Sequence, residues 1–355
     1  IETTSKTSYN GNYGLNASWT IYNGSKRLNT IKQEKLNNQA ANLDVETSEN
    51  SIQESIAQIY IQILYAAESV KVNENTLQVS IAQRDRGQEL LNAGSIAKSD
   101  LAQLEAQVST DRYQLVTAQA TLQDYKLQLK QLLELDGEQE MQVYLPALGD
   151  ENVLSPLPTK TDVFRSAVAL RPEIEASKLS VEASELGIGI AKSGYLPSVS
   201  LTAGIGTNHT SGSDFTFGEQ VKNGWNNSIG LSISVPIFNN RQTKSAVEKA
   251  KLQYQTSQLT LLDEQKTLYK TIEGLWLDAN SAQQRYAAAI EKLHSTQTSY
   301  ELVSEQFNAG MKNTVELLTE KNNLLQAQQE LLQSKYMAIL NTQLLKFYQG
   351  DKITL

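Results

Sequence analysis

Shifting the sequence against itself by 216 residues brings two halves into register without a gap, and this internal repeat limits the possible folds more than any other feature. The segment Gly14-Leu15-Asn16-Ala17-Ser18-Trp19-Thr20-Ile21-Tyr22-Asn23 falls on Gly230-Leu231-Ser232-Ile233-Ser234-Val235-Pro236-Ile237-Phe238-Asn239. Lys35-Leu36 falls on Lys251-Leu252, Asn92-Ala93-Gly94 on Asn308-Ala309-Gly310, and Asp100-Leu101 on Glu316-Leu317. A register kept over roughly ninety positions means that every residue step between these marks counts, as in a helix whose length sets a geometry. Residue 1 then corresponds to residue 217, so a helix and a strand resembling 161–208 are expected upstream of Ile1.

Three stretches alternate with period two and share one parity. Tyr13, Leu15, Ala17, Trp19 and Ile21 are matched by Val199, Leu201, Ala203 and Ile205, and by Ile229, Leu231, Ile233, Val235 and Ile237. Small or polar residues fill the positions between. At about nine to eleven residues such strands can cross a bilayer at a tilt, one face on lipid and the other on a wet lumen. Leu15, Trp19, Ile21, Leu201, Ile205, Leu231, Ile233 and Val235 are then the lipid face. For any single alternating stretch a soluble sheet packed on helices is the commoner origin; three of one parity beside very long helices reverse that and favour the membrane.

From Asn23 to Ala93 the chain has no proline, which predicts about 105 Å of helix if it is continuous. Ile52, Ile56, Ile59 and Ile63 carry coiled-coil spacing, and Leu101, Leu104, Val108, Leu115, Ala118, Leu122, Leu129 and Leu132 hold one heptad frame on the returning arm. Leu317/Leu318, Leu324/Leu325, Leu331/Leu332 and Ala338/Ile339 recur every seven residues and imply a second hairpin. Asp136-Gly137, Pro146, Pro156 and Pro158 punctuate a non-helical connection. Pro172 suits the first turn of a helix beginning near Leu170, and Gly194 and Pro197 end it.

With no cysteine and only His209 and His294, the chain lacks the means for thiolate metal sites, disulfides or cysteine nucleophiles, and neither histidine has a metal-site setting; no metal or cofactor is expected. His209 is expected in an extracellular loop. A net charge of −8 without basic clusters argues against nucleic acid. No polar constellation for an enzyme stands out. No run of about 18 apolar residues occurs, which excludes a transmembrane helix but not a barrel.

Leu170-Arg171-Pro172-Glu173-Ile174 with Ala191-Lys192-Ser193-Gly194-Tyr195-Leu196-Pro197-Ser198-Val199-Ser200-Leu201, the paired strand exits at Trp19–Gly24 and Val235–Asn240, and the hairpin tips at Asn92–Leu101 and Phe307–Leu318 occur in order, two of these three kinds twice. In this arrangement the chain resembles the TolC-type outer-membrane efflux proteins over almost its whole length. The resemblance implies an α+β membrane protein: a trimeric antiparallel transmembrane β-barrel continuing into a long periplasmic α-helical coiled-coil barrel, with an internal twofold repeat. Each protomer of the homotrimer would give four strands to a twelve-stranded barrel, and this sequence contains three.

On this reading residues 1–22 are the barrel strand of repeat one, 23–135 the first periplasmic hairpin, 136–160 an equatorial linker and 161–194 a helix leading to the barrel. Residues 195–238 form the barrel hairpin of repeat two, 239–349 the second periplasmic hairpin and 350–355 a tail. The resemblance implies an exit duct of a tripartite efflux or type I secretion system in a Gram-negative outer membrane. Its partners would be outer-membrane lipid, a periplasmic adaptor and, through the adaptor, an inner-membrane transporter. A soluble coiled-coil scaffold is the alternative.

The tip residues Ala93, Gly94, Ser95, Ala309, Gly310 and Met311 are expected to receive the adaptor. Gly94 and Gly310 suit a positive φ, Ser95 and Ser99 can cap the returning helix, and Asp100 lies in its first turn. By resemblance Lys312 pairs with Asp100 on a neighbouring hairpin to hold the tube closed, Glu316 faces inward, and Phe307 stands where the family often has tyrosine. A threefold ring of Glu316 would favour cations, with Glu320 a lesser contributor.

Overall fold

The computed structural model describes residues 7–136, 141–146, 149 and 153–353. Residues 1–6 of the first strand segment, 137–140, 147, 148 and 150–152 of the linker (Gly137 among them), and 354–355 of the tail lie outside the described residues. The elements run β1 (Asn10–Asn23), α1 (Lys26–Asn92), α2 (Lys98–Leu132), α3 (Lys160–Leu170), α4 (Pro172–Lys192), β2 (Ser198–Thr210), α5 (Phe217–Asn223), β3 (Asn226–Ser234), α6 (Gln242–Asn308) and α7 (Thr314–Tyr348). The bounds of α6 and α7 lie 216 residues after those of α1 and α2 at both ends. The chain divides into two compact units, Ile1–Leu43 with Glu175–Glu264, and Asp44–Ile174 with Gln265–Leu355.

The first unit holds a three-stranded antiparallel sheet in the order β1-β2-β3. Its register places Leu15 opposite Ile205, Trp19 opposite Leu201, Leu201 opposite Leu231 and Val199 opposite Ile233. Directly paired residues share a face, so one face is apolar, while Asn16, Gly204 and Ser228, with Ser18, Thr202 and Gly230, line the other. The register shifts between Thr20 and Tyr22, so that Tyr22 stands opposite Val199 and Ile21 is the extra residue of a bulge. The alternation expected through Ile237 ends at Ser234, leaving Val235 just past β3. Pro236 has no N–H with which to continue a ladder. His209, expected in a loop, pairs with Gly11 inside the sheet.

Both strand-to-helix turns need consecutive left-handed residues: Gly24 and Ser25 (φ 65° each) before α1, Asn240 and Arg241 (φ 49° and 61°) before α6. At Gly24 a Cβ would also stand 2.8 Å from Leu196 Cβ and 2.9 Å from the Ser193 carbonyl oxygen. On α4, Ala183 O accepts from Gln33 Nε2 of α1 at 2.8 Å, and Ser184 Oγ lies 2.7 Å from Ser257 Oγ of α6. Sequence reading missed α5. Its signal was there, because Thr216 and Glu219 make a reciprocal capping box.

The second unit packs α7 against α1 through Ala57, Ile61, Leu64, Tyr336, Leu340 and Leu344. This corrects the expected seam, since Ile52 is exposed while Ile63 is fully buried. A helix that meets more than one neighbour buries more than one stripe, and the Ile52–Ile63 spacing describes only one of them. On α2 the heptad frame holds at Leu101, Leu104, Val108 and Leu129, all buried. The described part of the linker is strapped to α6: Gln283 Nε2 donates to Val153 O and Ser155 O at 2.9 and 2.8 Å, and Trp276 Nε1 to Pro158 O at 3.0 Å.

The helix expected to begin near Leu170 starts at Pro172 as α4, while the 161–194 span expected as one helix holds a second, α3, before a break at Arg171. Pro172 opens α4, and the residue before a proline avoids helical ψ; Arg171 is extended at φ −74°, ψ 126°. Its guanidinium turns inward, with Nη2 2.7 Å from Glu54 Oε1 and the group 3.9 Å from the Tyr348 ring centre.

Candidate functional site

The two helix turns answer to the same local rules. α1 ends in a Schellman arrangement, with Ser95 N donating to Leu90 O at 2.8 Å and Gly94 N to Leu91 O at 2.9 Å, and Gly94 takes φ 73°. α6 repeats it, with Met311 N donating to Gln306 O at 2.8 Å, Gly310 N to Phe307 O at 2.9 Å, and Gly310 at φ 74°. A Cβ at either glycine would meet nothing within 4 Å, so conformation and not crowding calls for glycine here. Ala93, Ser95, Ala309 and Met311 are exposed around them.

The caps differ. The N-cap of α2 is Ala97, not Ser95 or Ser99, and an alanine side chain accepts nothing; only the return half of a capping box forms, with Asp100 Oδ2 accepting from Ala97 N at 2.9 Å. On α7, Asn313 Oδ1 accepts from Glu316 N at 2.9 Å and Glu316 Oε2 from Asn313 N at 3.1 Å, a complete box.

Lys312 Nζ closes on Glu316 Oε1 at 2.5 Å within the second turn. The Lys312 ammonium, then the Asn313 amide, hold the Glu316 carboxyl below the usual glutamate range. The structure therefore brings Lys312 and Glu316 together on one turn and engages Asp100 with the start of its own helix. Phe307 is buried beneath the second turn, while Glu320 accepts from Ser299 Oγ of α6 at 3.0 Å.

The sheet supplies the other candidate surface. Leu15, Trp19, Leu231 and Ile233 are 63–73% exposed, a contiguous apolar face of the kind a soluble monomer rarely leaves open. Ile21, Ile205 and Val235 are exposed too, and Leu201 is half-buried at the sheet centre. The outer edges of β1 and β3 have no partner strand among the described residues. Among those residues no helix is long and apolar enough to cross a membrane.

The family profile described as Outer membrane efflux protein matches residues 2–134 and 163–350. The chain belongs to that family. It is an outer-membrane protein of a family of transport proteins. The family member is 25% identical over 309 residues to Outer membrane protein TolC of Escherichia coli strain K12, an alignment covering 83% of this chain and 60% of that protein. It thus spans less than two thirds of the length of that relative. Among solved structures, CusC superposes with a TM-score of 0.83 at 20% identity, covering 98% of this chain and 80% of that one. The outer membrane protein VceC of Vibrio cholerae gives 0.80 at 16% identity, covering 98% and 88%. These likenesses fix the fold.

Three features of the site regions escaped sequence reading: the Ala97 cap, the inward-turned Arg171 and a buried pair between Asp111 and Lys321. The last left a trace, because Asp111 falls between Val108 and Leu115 on the heptad frame of α2, where an apolar residue belongs.

Proposed function

We propose that this chain is one protomer of an outer-membrane channel, the exit duct of a tripartite efflux or type I secretion system. The observation that carries the reading is the sheet: an open apolar face, a polar opposite face and two unpaired edges. In lipid an unpaired strand edge is costly, so strands from several copies must close a barrel. Three copies give the closed form implied by the family, with each protomer supplying two helical hairpins to a coiled-coil tube in the periplasm. The 216-residue offset of the helix bounds supports a repeat in which the two hairpins are equivalent units.

In this assembly Leu15, Trp19, Ile21, Leu201, Ile205, Leu231, Ile233 and Val235 meet lipid. The exposed turns at Ala93, Gly94, Ser95, Ala309, Gly310 and Met311 receive a periplasmic adaptor, which links the duct to an inner-membrane transporter. Asp100, Lys312 and Glu316 shape the entrance. Lys312 can exchange Glu316 for Asp100 of a neighbouring hairpin, and Glu316 released from Lys312 is a free anion on the wall. Imaging of the purified protein in detergent tests the proposal. Threefold particles with a helical tube are expected; a monomer soluble without detergent would instead support a coiled-coil scaffold.

A further inference from the structure

In the unit Ile1–Leu43 with Glu175–Glu264, the segment between β2 and β3 folds back onto the apolar face of the sheet. Gly11, Tyr13 and Leu15 of β1 share that face with His209, Thr207 and Ile205, the β2 residues directly opposite them. α5 is tied to the same side. Thr207 Oγ1 donates to Val221 O at 2.8 Å, and the Phe217 ring lies 5.0 Å from the His209 ring and 6.4 Å, edge on, from Tyr13. Thr210 N donates to Gln220 Oε1 at 2.9 Å, which occupies β2 beyond Gly206, its last residue paired with β3.

The aromatic residues around α5 nevertheless stay open: Tyr13, Phe215, Phe217 and Trp225 are 54–59% exposed. A groove of about 540 Å³ has Tyr13, Leu15, Ile205, Thr207 and Trp225 in its walls. Elsewhere α5 is polar, with Glu219 and Lys222 exposed. Such a helix is too polar for hydrocarbon and too aromatic for water, and it suits the boundary between them, where the aromatic rings of membrane barrels collect.

The height of the sheet agrees. α1, α4 and α6 adjoin the opposite end of the strands, the periplasmic end on the channel reading. Val199, which faces Tyr22, and His209 are ten residues apart on β2. That separation is about 33 Å along a strand and about 25 Å of height at a tilt of about 40°, which matches the apolar band of a membrane barrel. The outer boundary of that band therefore falls at the contact of His209 with Phe217.

We propose that α5 is an outer-leaflet anchor. It lies on the lipid side of the barrel and not over its mouth, Phe217 and Trp225 hold an acyl chain of an outer-leaflet lipid in the groove, and Glu219 and Lys222 stay among the headgroups. An anchor so placed fixes the height at which the barrel sits in the membrane. The inference rests on the channel reading.

The chain's own tryptophans test it. Full-chain Trp19→Phe/Trp276→Phe leaves Trp225 alone, and Trp225→Phe/Trp276→Phe leaves Trp19, near the other end of the same face. Each variant is reconstituted in phosphatidylcholine vesicles with or without bromine on the acyl chains. Bromine should lower the emission of Trp225 at least about twofold, as it should for Trp19, while iodide in the water lowers it by less than about a fifth. Phe217→Asp should about halve the effect of bromine on Trp225 and leave that on Trp19 as it was. Trp225 reached by iodide and not by bromine puts α5 in water, and Trp225 reached by neither puts it against another copy of the chain. Either result, or an unmoved Trp225 in Phe217→Asp, overturns the proposal. If Trp19 also escapes bromine, the sheet is not in lipid and the channel reading itself fails.

Discussion

The consequence of Arg171→Leu can be worked through contact by contact. The native guanidinium lies between Glu54 (Nη2 to Oε1, 2.7 Å), Glu173 (Nε 3.3 Å from Oε1, without hydrogen-bond alignment) and the rings of Tyr348 and Phe347 at 3.9 and 5.1 Å. Leucine leaves the partly buried Glu54 carboxylate without its counter-charge. Removing one partner of a buried pair costs about 3–5 kcal/mol. Glu54 and Glu173 keep 22% and 33% of their side chains exposed, so water recovers part of the loss and about 3 kcal/mol is expected. Arg171→Lys keeps the charge but cannot face a ring and a carboxylate at once, and should cost about 1–2 kcal/mol. Adding Glu54→Leu to Arg171→Leu removes the stranded carboxylate, so the double variant should lose less than the sum by about 1–2 kcal/mol. Urea unfolding by circular dichroism, at fixed protein and detergent concentration because assembly shifts the midpoint, gives all four values. A loss under about 0.5 kcal/mol for Arg171→Leu, or strict additivity, would refute the reasoning.

Lys312→Ala should raise single-channel conductance, and Glu316→Gln should weaken cation preference while leaving assembly unchanged; unaltered values in assembled variants would make these charges mere helix-end residues. Glu316 has a depressed pKa, so its contribution is present above the unfolded value and is lost as pH falls through the folded one. Amide exchange at the second turn should therefore stay slow down through the usual glutamate range and quicken only below it, a dependence that Glu316→Gln should abolish. Gly24→Ala puts a Cβ against Leu196 and Ser193 at positive φ and should cost about 2–4 kcal/mol by the same unfolding assay, whereas Gly94→Ala meets no atom and should cost only about 1–2 kcal/mol. Asp111→Leu with Lys321→Met should match or exceed the parent stability, while either change alone should cost about 3–5 kcal/mol.

Periodic features were legible in the sequence, and pairwise ones were not. Heptads, period-two alternation, Pro172, Gly94 and Gly310 act on their own stretch of backbone, so the sequence around them suffices. Lys321 meets Ser80 across 241 residues, and Arg171 meets Glu54 across 117, so no local pattern announces either contact. The bulge at Ile21 is invisible to alternation because Trp19-Thr20-Ile21 keeps the period-two pattern right up to it. Ala97 displaced Ser95 and Ser99 as the cap because the Schellman turn fixes where α2 begins, and that geometry overrides the preference for a hydroxyl.

The matched lengths, 67 residues in both α1 and α6 and 35 in both α2 and α7, make the hairpins behave like meshed gears. Removing one residue from α6 would draw everything beyond it back by about 1.5 Å and turn it by about 100°. A matching deletion in α7 would level the hairpin end but leave the seams facing the wrong neighbours. Only a loss of seven, taken from all four helices together, would preserve both level and facing. The turn that carries α5 is under no such rule. Changes of length should therefore be tolerated one residue at a time there and come in sevens along the hairpins, whatever substitutions the helices accept.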